Sequence, residues 1–175
     1  MTPHVATIGP FVVLGLASSI GRGSESPELF ARLWKTFESH QEKIQTLATG
    51  KVYYGVTFPT ADVNVTDYLA GMEVAAATPP PEGLEARPIP GGAYAVWECP
   101  IDAIGRTYQH VFGTWLPNAT VQFDGGRPSF EQYPENAAEE PVRLHIPVRH
   151  RPSEDRRAGE HRMGADKRSQ SWSDR

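Results

Sequence analysis

Pro79-Pro80-Pro81 interrupts the chain near its middle, and neither a helix nor a central strand tolerates such a run of prolines. On each side of this break the sequence shows the same order of patterns: strand, helix, strand, strand. The prolines therefore predict a link between two copies of one repeat, at about residues 4–78 and 84–149.

The first copy opens with residues 11–20, which are apolar and rich in β-branched side chains and so predict a strand. Ser26 as the N-cap and Pro27 at the first helical position predict the start of a helix. Apolar side chains continue at helical spacing, and we expect this helix to end near Gly50. Two strands are expected next, over residues 52–58 and 67–75.

The second copy repeats this order. Residues 84–98 predict one long strand with a kink at Pro90-Gly91-Gly92. A helix follows, and we expect it to stop at Pro117. Its apolar face consists of Ile104, Tyr108, Val111, Phe112 and Trp115. Two further strands are expected over residues 129–133 and 142–148.

A duplicated strand-helix-strand-strand unit (βαββ) with mostly antiparallel strands predicts an α+β domain. We expect one antiparallel sheet, two helices on one of its sides, and a pseudo-twofold seam between the copies. An apolar, aromatic cleft with a few polar groups is the usual site for a small molecule. The predicted fold therefore favours ligand binding in a central cleft.

Composition and charge restrict the class of protein. The 175 residues suffice for one domain, and no apolar run is long enough to cross a membrane. A single cysteine, Cys99, cannot form an internal disulfide, and no secretion signal opens the chain, so we expect a cytoplasmic protein. Residues 1–149 carry ten basic and sixteen acidic side chains, which disfavours direct nucleic-acid binding.

The two ends of the chain carry separate expectations. Residues 150–175 mix both charges with Gly, Ser and Pro, and they contain almost no apolar side chain. Such a segment cannot bury enough surface to offset its conformational entropy, so we expect a disordered tail. Few residues precede the first predicted strand at Phe11, and we therefore expect no helix-turn-helix unit in this chain.

Motifs for nucleotide binding and hydrolysis are absent from the sequence. It contains no Gly-x-x-x-x-Gly-Lys-Ser/Thr, no Gly-x-Gly-x-x-Gly and no Gly-x-Ser-x-Gly. The six histidines lack ligand spacing, so we expect no metal site, and no motif requires a cofactor. Cys99 precedes Pro100 and has no obvious local base, and we interpret it as a small apolar residue rather than a nucleophile.

The most informative segment is Arg127-Pro-Ser-Phe-Glu-Gln-Tyr-Pro134. In a strand, Glu131 and Tyr133 point to one face, and Phe130 and Gln132 point to the other. One interpretation makes Glu131 a solvated carboxylate, because acidic side chains are rarely buried without a partner. The other places it in an aromatic cleft, where charge and cation–π contact attract a lipophilic cation. The strand pattern leaves both open.

Four segments together carry a family resemblance. They are Pro90-Gly-Gly-Ala-Tyr-Ala-Val-Trp97, Phe112-Gly-Thr-Trp-Leu-Pro117, Phe130-Glu-Gln-Tyr-Pro134 and Leu144-His-Ile-Pro-Val148. In this order they resemble the GyrI-like effector-binding domain, the ligand-binding module of some AraC-type and MerR-type regulators. The module also occurs as freestanding proteins, some of them carried on integron cassettes. The resemblance covers nearly all of residues 4–149 and implies a duplicated βαββ fold of the SOUL type.

The resemblance also implies a site. Family members typically bind bulky, often cationic and aromatic drugs or dyes in the central cleft, where the glutamate of a Phe-Glu-x-Tyr motif reaches the ligand. That glutamate corresponds to Glu131, and the tyrosine of the motif corresponds to Tyr133. The other candidate ligand-binding residues are Trp115, Tyr68, Met72, Trp97, Phe112 and Tyr94. Trp97 replaces a phenylalanine that is common in the family. For the Trp, Met and strand Tyr candidates, packing in the core is a competing interpretation.

Three functions are consistent with these residues. The first is a freestanding protein that senses or sequesters bulky hydrophobic cations. The second is a hydrolase of reactive electrophilic small molecules, in which Glu131 and Tyr133 would be catalytic. The third is a regulatory partner of another protein, such as a topoisomerase, with the acidic body of the protein as the contact surface.

Overall fold

A computed structural model describes residues 2–21, 27–62 and 64–151 of the protein. The elements of the first half are β1 (His4–Ile8), β2 (Phe11–Gly21), α1 (Pro27–Glu38), α2 (Gln41–Gln45), β3 (Ala48–Phe58) and β4 (Val65–Val74). Those of the second half are β5 (Glu85–Ile89), β6 (Gly92–Cys99), α3 (Ile104–His110), α4 (Leu116–Asn118), β7 (Val121–Phe123), β8 (Ser129–Tyr133) and β9 (Val142–His150). The predicted N-cap, Ser26, lies outside the described residues.

The strands form a curled antiparallel sheet in the order β1-β6-β9-β8-β3-β4-β2-β5, and β7 pairs with the end of β9. The pair β3–β8 forms its centre, with Gly55 opposite Glu131 and Thr57 opposite Ser129. β3 belongs to the unit β2-α1-β3-β4 of the first half, and β8 belongs to the equivalent unit β6-α3-β8-β9 of the second half. The prediction of a duplicated α+β fold with a pseudo-twofold seam is confirmed.

The outermost strand of each half comes from the other half. β1 pairs with β6, although it directly precedes β2 in sequence, and β5 pairs with β2. The expected single strand over residues 84–98 is therefore wrong, as is the expectation that the first strand begins at Phe11. The chain changes direction at Pro90-Gly91-Gly92, where Gly92 has a φ of +149° and the Arg127 guanidinium occupies the position of a Cβ.

The helices also depart from the expected boundaries. The first helix does not continue to Gly50. It ends at Glu38, where the Ser39 hydroxyl donates to the Thr36 carbonyl oxygen at 2.6 Å and competes with the helical hydrogen bonds. The second helix continues past Pro117, because a π-helical turn over Val111–Trp115 places this proline in the first turn of α4, where no N–H donor is needed.

The core has three clusters. On the helix-covered face, α1 and α2 pack on the first half of the sheet around Phe37, Ile44 and Met72, which we call the α1 cluster. On the same face, α3 packs on the second half around Trp97 and Leu144, which we call the α3 cluster. The opposite face of the sheet curls around a third cluster, whose aromatic members include Tyr54, Tyr94 and Phe130. The seam β3–β8 lies where the α1 and α3 clusters meet.

Arg127 fixes the start of β8. Its Nη2 atom donates to the carbonyl oxygens of Ala93, at 3.0 Å, and Val148, at 2.9 Å, and its Nε atom pairs with Asp124 at 2.8 Å. Its guanidinium also lies over the Tyr94 ring, 5.0 Å from the centroid. One side chain thereby ties β6 and β9 to the beginning of the strand that carries Glu131.

The ordered body extends past the expected boundary at residue 149. β7, which the sequence pattern did not predict, pairs with the last residues of β9, including His150. Arg151 then donates to the carbonyl oxygens of Leu116, at 3.2 Å, and Pro117, at 3.4 Å. Residues 152–175 of the predicted tail lie outside the described residues.

Candidate functional site

Glu131 lies in the middle of β8, on the helix-covered face of the sheet, at the seam between the two halves. It is flanked on the same face by Tyr133, as the strand alternation predicts, while Phe130 packs in the third cluster on the opposite face. Helices α1 and α3 each contribute an aromatic side chain here, Trp34 from α1 and Tyr108 from α3. We define the seam site as Glu131 with Tyr68, Tyr108, Tyr133 and Trp34.

The two carboxylate oxygens of Glu131 have different surroundings. The Tyr108 hydroxyl donates a short hydrogen bond to Oε1. Oε2 is buried and has no partner of hydrogen-bond geometry among the described residues, although the Tyr68 hydroxyl is close enough to lower the carboxyl pKa. Both groups occupy the space over Gly55, where a Cβ would overlap the Tyr68 hydroxyl and lie 2.5 Å from Oε2. The missing side chain of Gly55 is therefore what makes room for the carboxylate.

Glu131 is only 6% exposed, which excludes the interpretation of a solvated strand carboxylate. Burial raises its pKa to about 7, against the opposing effect of the Tyr108 hydrogen bond. In the described part of the chain, no Lys, Arg or His side chain forms an ion pair with it. Among the described residues, the seam thus holds a carboxyl group without a cationic partner, and its pKa is raised into the neutral range.

The rings around Glu131 include two edge-on pairs. Trp34 meets Tyr133 edge-on, with ring centroids 5.3 Å apart, and Phe30 meets Tyr68 edge-on at 5.0 Å. Burial, followed by the charge of Glu131, raises the pKa of the hydroxyls of Tyr68, Tyr108 and Tyr133. These hydroxyls stay protonated over the whole physiological range, and the Tyr108 hydroxyl donates to the carboxylate.

The structure brings three of the candidate site residues, Glu131, Tyr133 and Tyr68, together at the seam, where the Tyr68 hydroxyl lies near both of the others. Met72 lies four residues beyond Tyr68 on the same face of β4 and is packed in the α1 cluster, where it is 1% exposed. Tyr68 is itself only 4% exposed, so the described residues cover this group from solvent. In this conformation the seam site is closed.

The remaining candidates lie apart from Glu131. Trp97 is on the same face but two strands away, and it packs edge-on against Trp115 at 5.5 Å in the α3 cluster. Phe112 stacks on Tyr108 at 6.3 Å and has 44% of its surface exposed. Tyr94 is on the opposite face of the sheet, beneath Arg127. The structure does not bring Tyr94 into the seam site.

Two residues of the seam site, Tyr108 and Trp34, were not among the candidates, and neither was Gly55, which lies opposite Glu131. Tyr108 was assigned only to the apolar face of the second helix, and Trp34 lies within the predicted first helix. A signal was present for Tyr108, because a hydroxyl on an apolar helix face requires a buried hydrogen-bond partner. Gly55 gave no such signal, since only the register opposite Glu131 reveals its role.

Two further properties concern the described residues alone. No group of three or more His, Cys, Asp or Glu side chains among them could hold a metal ion. In the same part of the chain, no helix has the length and apolar character needed to span a bilayer.

The sequence model of the GyrI-like small molecule binding domain matches residues 1–151, and the chain belongs to that family. The family resemblance seen in the four sequence segments is thereby confirmed. No curated protein sequence matches the chain.

Solved structures share the fold at low sequence identity. SAV2435 bound to tetraphenylphosphonium superposes with a TM-score of 0.69 at 14% identity, covering 85% of this chain and 94% of that one. A putative bacterial transcription regulation protein from Staphylococcus aureus gives 0.66 at 16% identity, covering 85% and 99%. The Vibrio cholerae integron cassette protein VCH_CASS2 also gives 0.66 at 16% identity, covering 85% and 96%.

Proposed function

We propose that this protein binds bulky hydrophobic cations at the seam site, with Glu131 as the counter-charge. The observation that carries the proposal is the buried Oε2 atom, which has neither a hydrogen-bond partner nor a cation among the described residues. Removing a carboxylate from water costs several kcal/mol, and a cation placed against it offsets that cost. Because burial makes the ionised Glu131 carboxylate unfavourable when no ligand is bound, it favours the complex in which a cation lies against that carboxylate.

The surrounding rings select the kind of cation. The aromatic rings of Trp34, Tyr133 and Tyr68 surround the Glu131 carboxylate. Aromatic faces attract cations, and they bury the apolar surface of a large ligand at the same time. The tetraphenylphosphonium bound to SAV2435, a protein of the same fold, is a ligand of this class.

Protonation provides a second filter. Because the pKa of Glu131 is about 7, a bound cation must displace the proton for its counter-charge to form. We expect affinity for a permanent cation to increase as pH rises towards 8 and to decrease below pH 7. A neutral ligand of the same shape gains nothing from the ionised carboxylate and should show the opposite trend or none.

The test compares wild type with Glu131→Gln against tetraphenylphosphonium and neutral triphenylphosphine oxide, using titration calorimetry at pH 8. Glutamine keeps the shape of the side chain and removes the charge, so affinity for the cation should fall by at least about tenfold while that for the oxide changes little. Glu139→Gln, which removes an exposed carboxylate, is the matched control. Equal losses for both ligands would refute the counter-charge.

A second candidate is hydrolysis of reactive electrophiles. One observation favours it: a carboxyl group with a pKa of about 7, hydrogen-bonded to a tyrosine hydroxyl, has the properties of a general base. Glu131 would take a proton from a water that attacks the ester carbonyl carbon, and the acyl C–O bond would then break as that proton passes to the departing alcohol oxygen. The Tyr108 hydroxyl would orient the carboxylate. Incubation with strained or activated esters and mass analysis of the products decides this point, with turnover expected to be lost in Glu131→Gln.

A further inference from the structure

A recess of about 220 Å³ lies at one end of the seam, where the β3–β4 connection faces the loop between β7 and β8. Its walls include Thr57 of β3, Thr66 of β4 and Ser129 of β8, together with Phe123 at the end of β7 and Gly125 of the loop. The recess is open to solvent, unlike the seam site.

The strand register connects this recess to the seam site. On each of three strands, a residue of the recess stands two positions from a residue at the carboxylate: Ser129 from Glu131, Thr57 from Gly55, and Thr66 from Tyr68. Residues two apart on a strand share a face and are separated by about 7 Å. A ligand in the recess is therefore one side-chain layer away from Glu131, and the Tyr68 hydroxyl over Gly55 is in that layer.

A series of aromatic contacts borders the same path. The Tyr108 hydroxyl binds Glu131, the Tyr108 ring stacks on Phe112, and Phe112 meets Phe123 edge-on at 5.4 Å. Exposure changes from 6% at Glu131 to 44% at Phe112 and 39% at Phe123. The aromatic rings thus run from the exposed surface to the buried carboxylate. An aromatic cation can contact them along the whole path.

We propose that this recess is the entrance to the seam site and the first binding position of aromatic cations that move on to Glu131. The inference rests on the proposed function, and it adds the route. Arg127, the charged side chain in the lining, is paired with Asp124 and with two backbone carbonyls, and these partners offset its charge towards an incoming cation.

The test places a bulky side chain at the mouth of the recess and measures binding rates. A Cβ at Gly125 makes only a 3.4 Å contact with Phe123, so Gly125→Trp narrows the mouth without a backbone clash. Gly50→Trp is the matched control, because a Cβ there meets nothing within 4 Å and a second recess surrounds it at the other end of β3. Tetraphenylphosphonium binding is followed by stopped-flow tryptophan fluorescence.

Gly125→Trp is expected to slow association and dissociation by a common factor of about ten and to leave Kd unchanged, while Gly50→Trp matches wild type. Unchanged rates in Gly125→Trp, or slowing in Gly50→Trp instead, would overturn the assignment of the entrance. Gly125→Cys before and after reaction with a bulky maleimide repeats the test in a protein already shown to be folded, since Cys99 is 1% exposed and protected from the reagent. If tetraphenylphosphonium binds neither to wild type nor to any variant, the proposed function itself is refuted. If it binds through Glu131 but the rates in Gly125→Trp are unaltered, only the assignment of the entrance is refuted.

Discussion

Replacing Glu131 with glutamine should change how stability depends on pH. The pKa of Glu131 is raised from 4.5 to about 7 by burial, so between these values the folded protein holds a proton that the unfolded chain has lost. The contribution of Glu131 to the free energy of unfolding is therefore fully present below pH 4.5, and it is lost as pH rises to about 7. At about 1.4 kcal/mol per pH unit, the loss amounts to about 3 kcal/mol.

His145 produces the opposite dependence. It is buried, stacks on Phe130 with ring centroids 4.3 Å apart, and burial lowers its pKa from 6.5 to about 4. Between these values the unfolded chain holds the extra proton, so stability is present above pH 6.5 and is lost as pH falls to about 4. The two contributions are of similar size, about 3 kcal/mol each, and they cancel between about pH 4.5 and 6.5.

Urea unfolding of wild type and Glu131→Gln at half-unit intervals from pH 4.5 to 8 measures this cancellation. The variant should match wild type at pH 4.5 and exceed its free energy of unfolding by about 3 kcal/mol above pH 7.5. Its own profile should rise from pH 4.5 to 6.5, because only the His145 contribution remains. Glu139→Gln, with an exposed carboxylate, should run parallel to wild type. Parallel profiles for wild type and Glu131→Gln would refute the burial argument.

Three other predictions follow from the same contacts. At pH 7, tetraphenylphosphonium binding should release a fraction of a proton from Glu131, seen in calorimetry as an enthalpy that varies with the ionisation enthalpy of the buffer. Gly55→Ala should destabilise the protein by about 1–3 kcal/mol in urea unfolding, because its Cβ overlaps the Tyr68 hydroxyl, whereas Gly50→Ala should not. Arg127→Ala should cost about 2–3 kcal/mol by the same assay and Arg127→Lys should restore little, because one ammonium group cannot reach two carbonyls and a carboxylate together.

The duplicated fold was readable from the sequence because a proline break separated two matching orders of local patterns. The exchange of β1 and β5 was not, because local pattern fixes what a strand is and not which strand it pairs with. β1 joins β6 across more than eighty residues of chain, and a five-residue strand contains too little alternation to be distinguished from a loop.

The seam site was partly readable. Period-two alternation placed Glu131 and Tyr133 on one face, but it could not tell what covers that face, because the cover comes from two helices distant in sequence. The same alternation could have separated Tyr94 from Trp97, which are three residues apart on one strand and so lie on opposite faces. Family likeness grouped residues that strand geometry places apart.

The reciprocal placement of β1 and β5 means that neither half of the chain is a folding unit. A fragment that ends at the proline break would contain β1 without β6 and would leave the edge of β2 unpaired. Two such fragments could satisfy each other's edges only as an intertwined pair, each lending its first strand to the other. The single chain is in this sense a covalently linked, strand-swapped dimer, and Gly55 and Glu131 lie opposite each other on the two strands that join its halves.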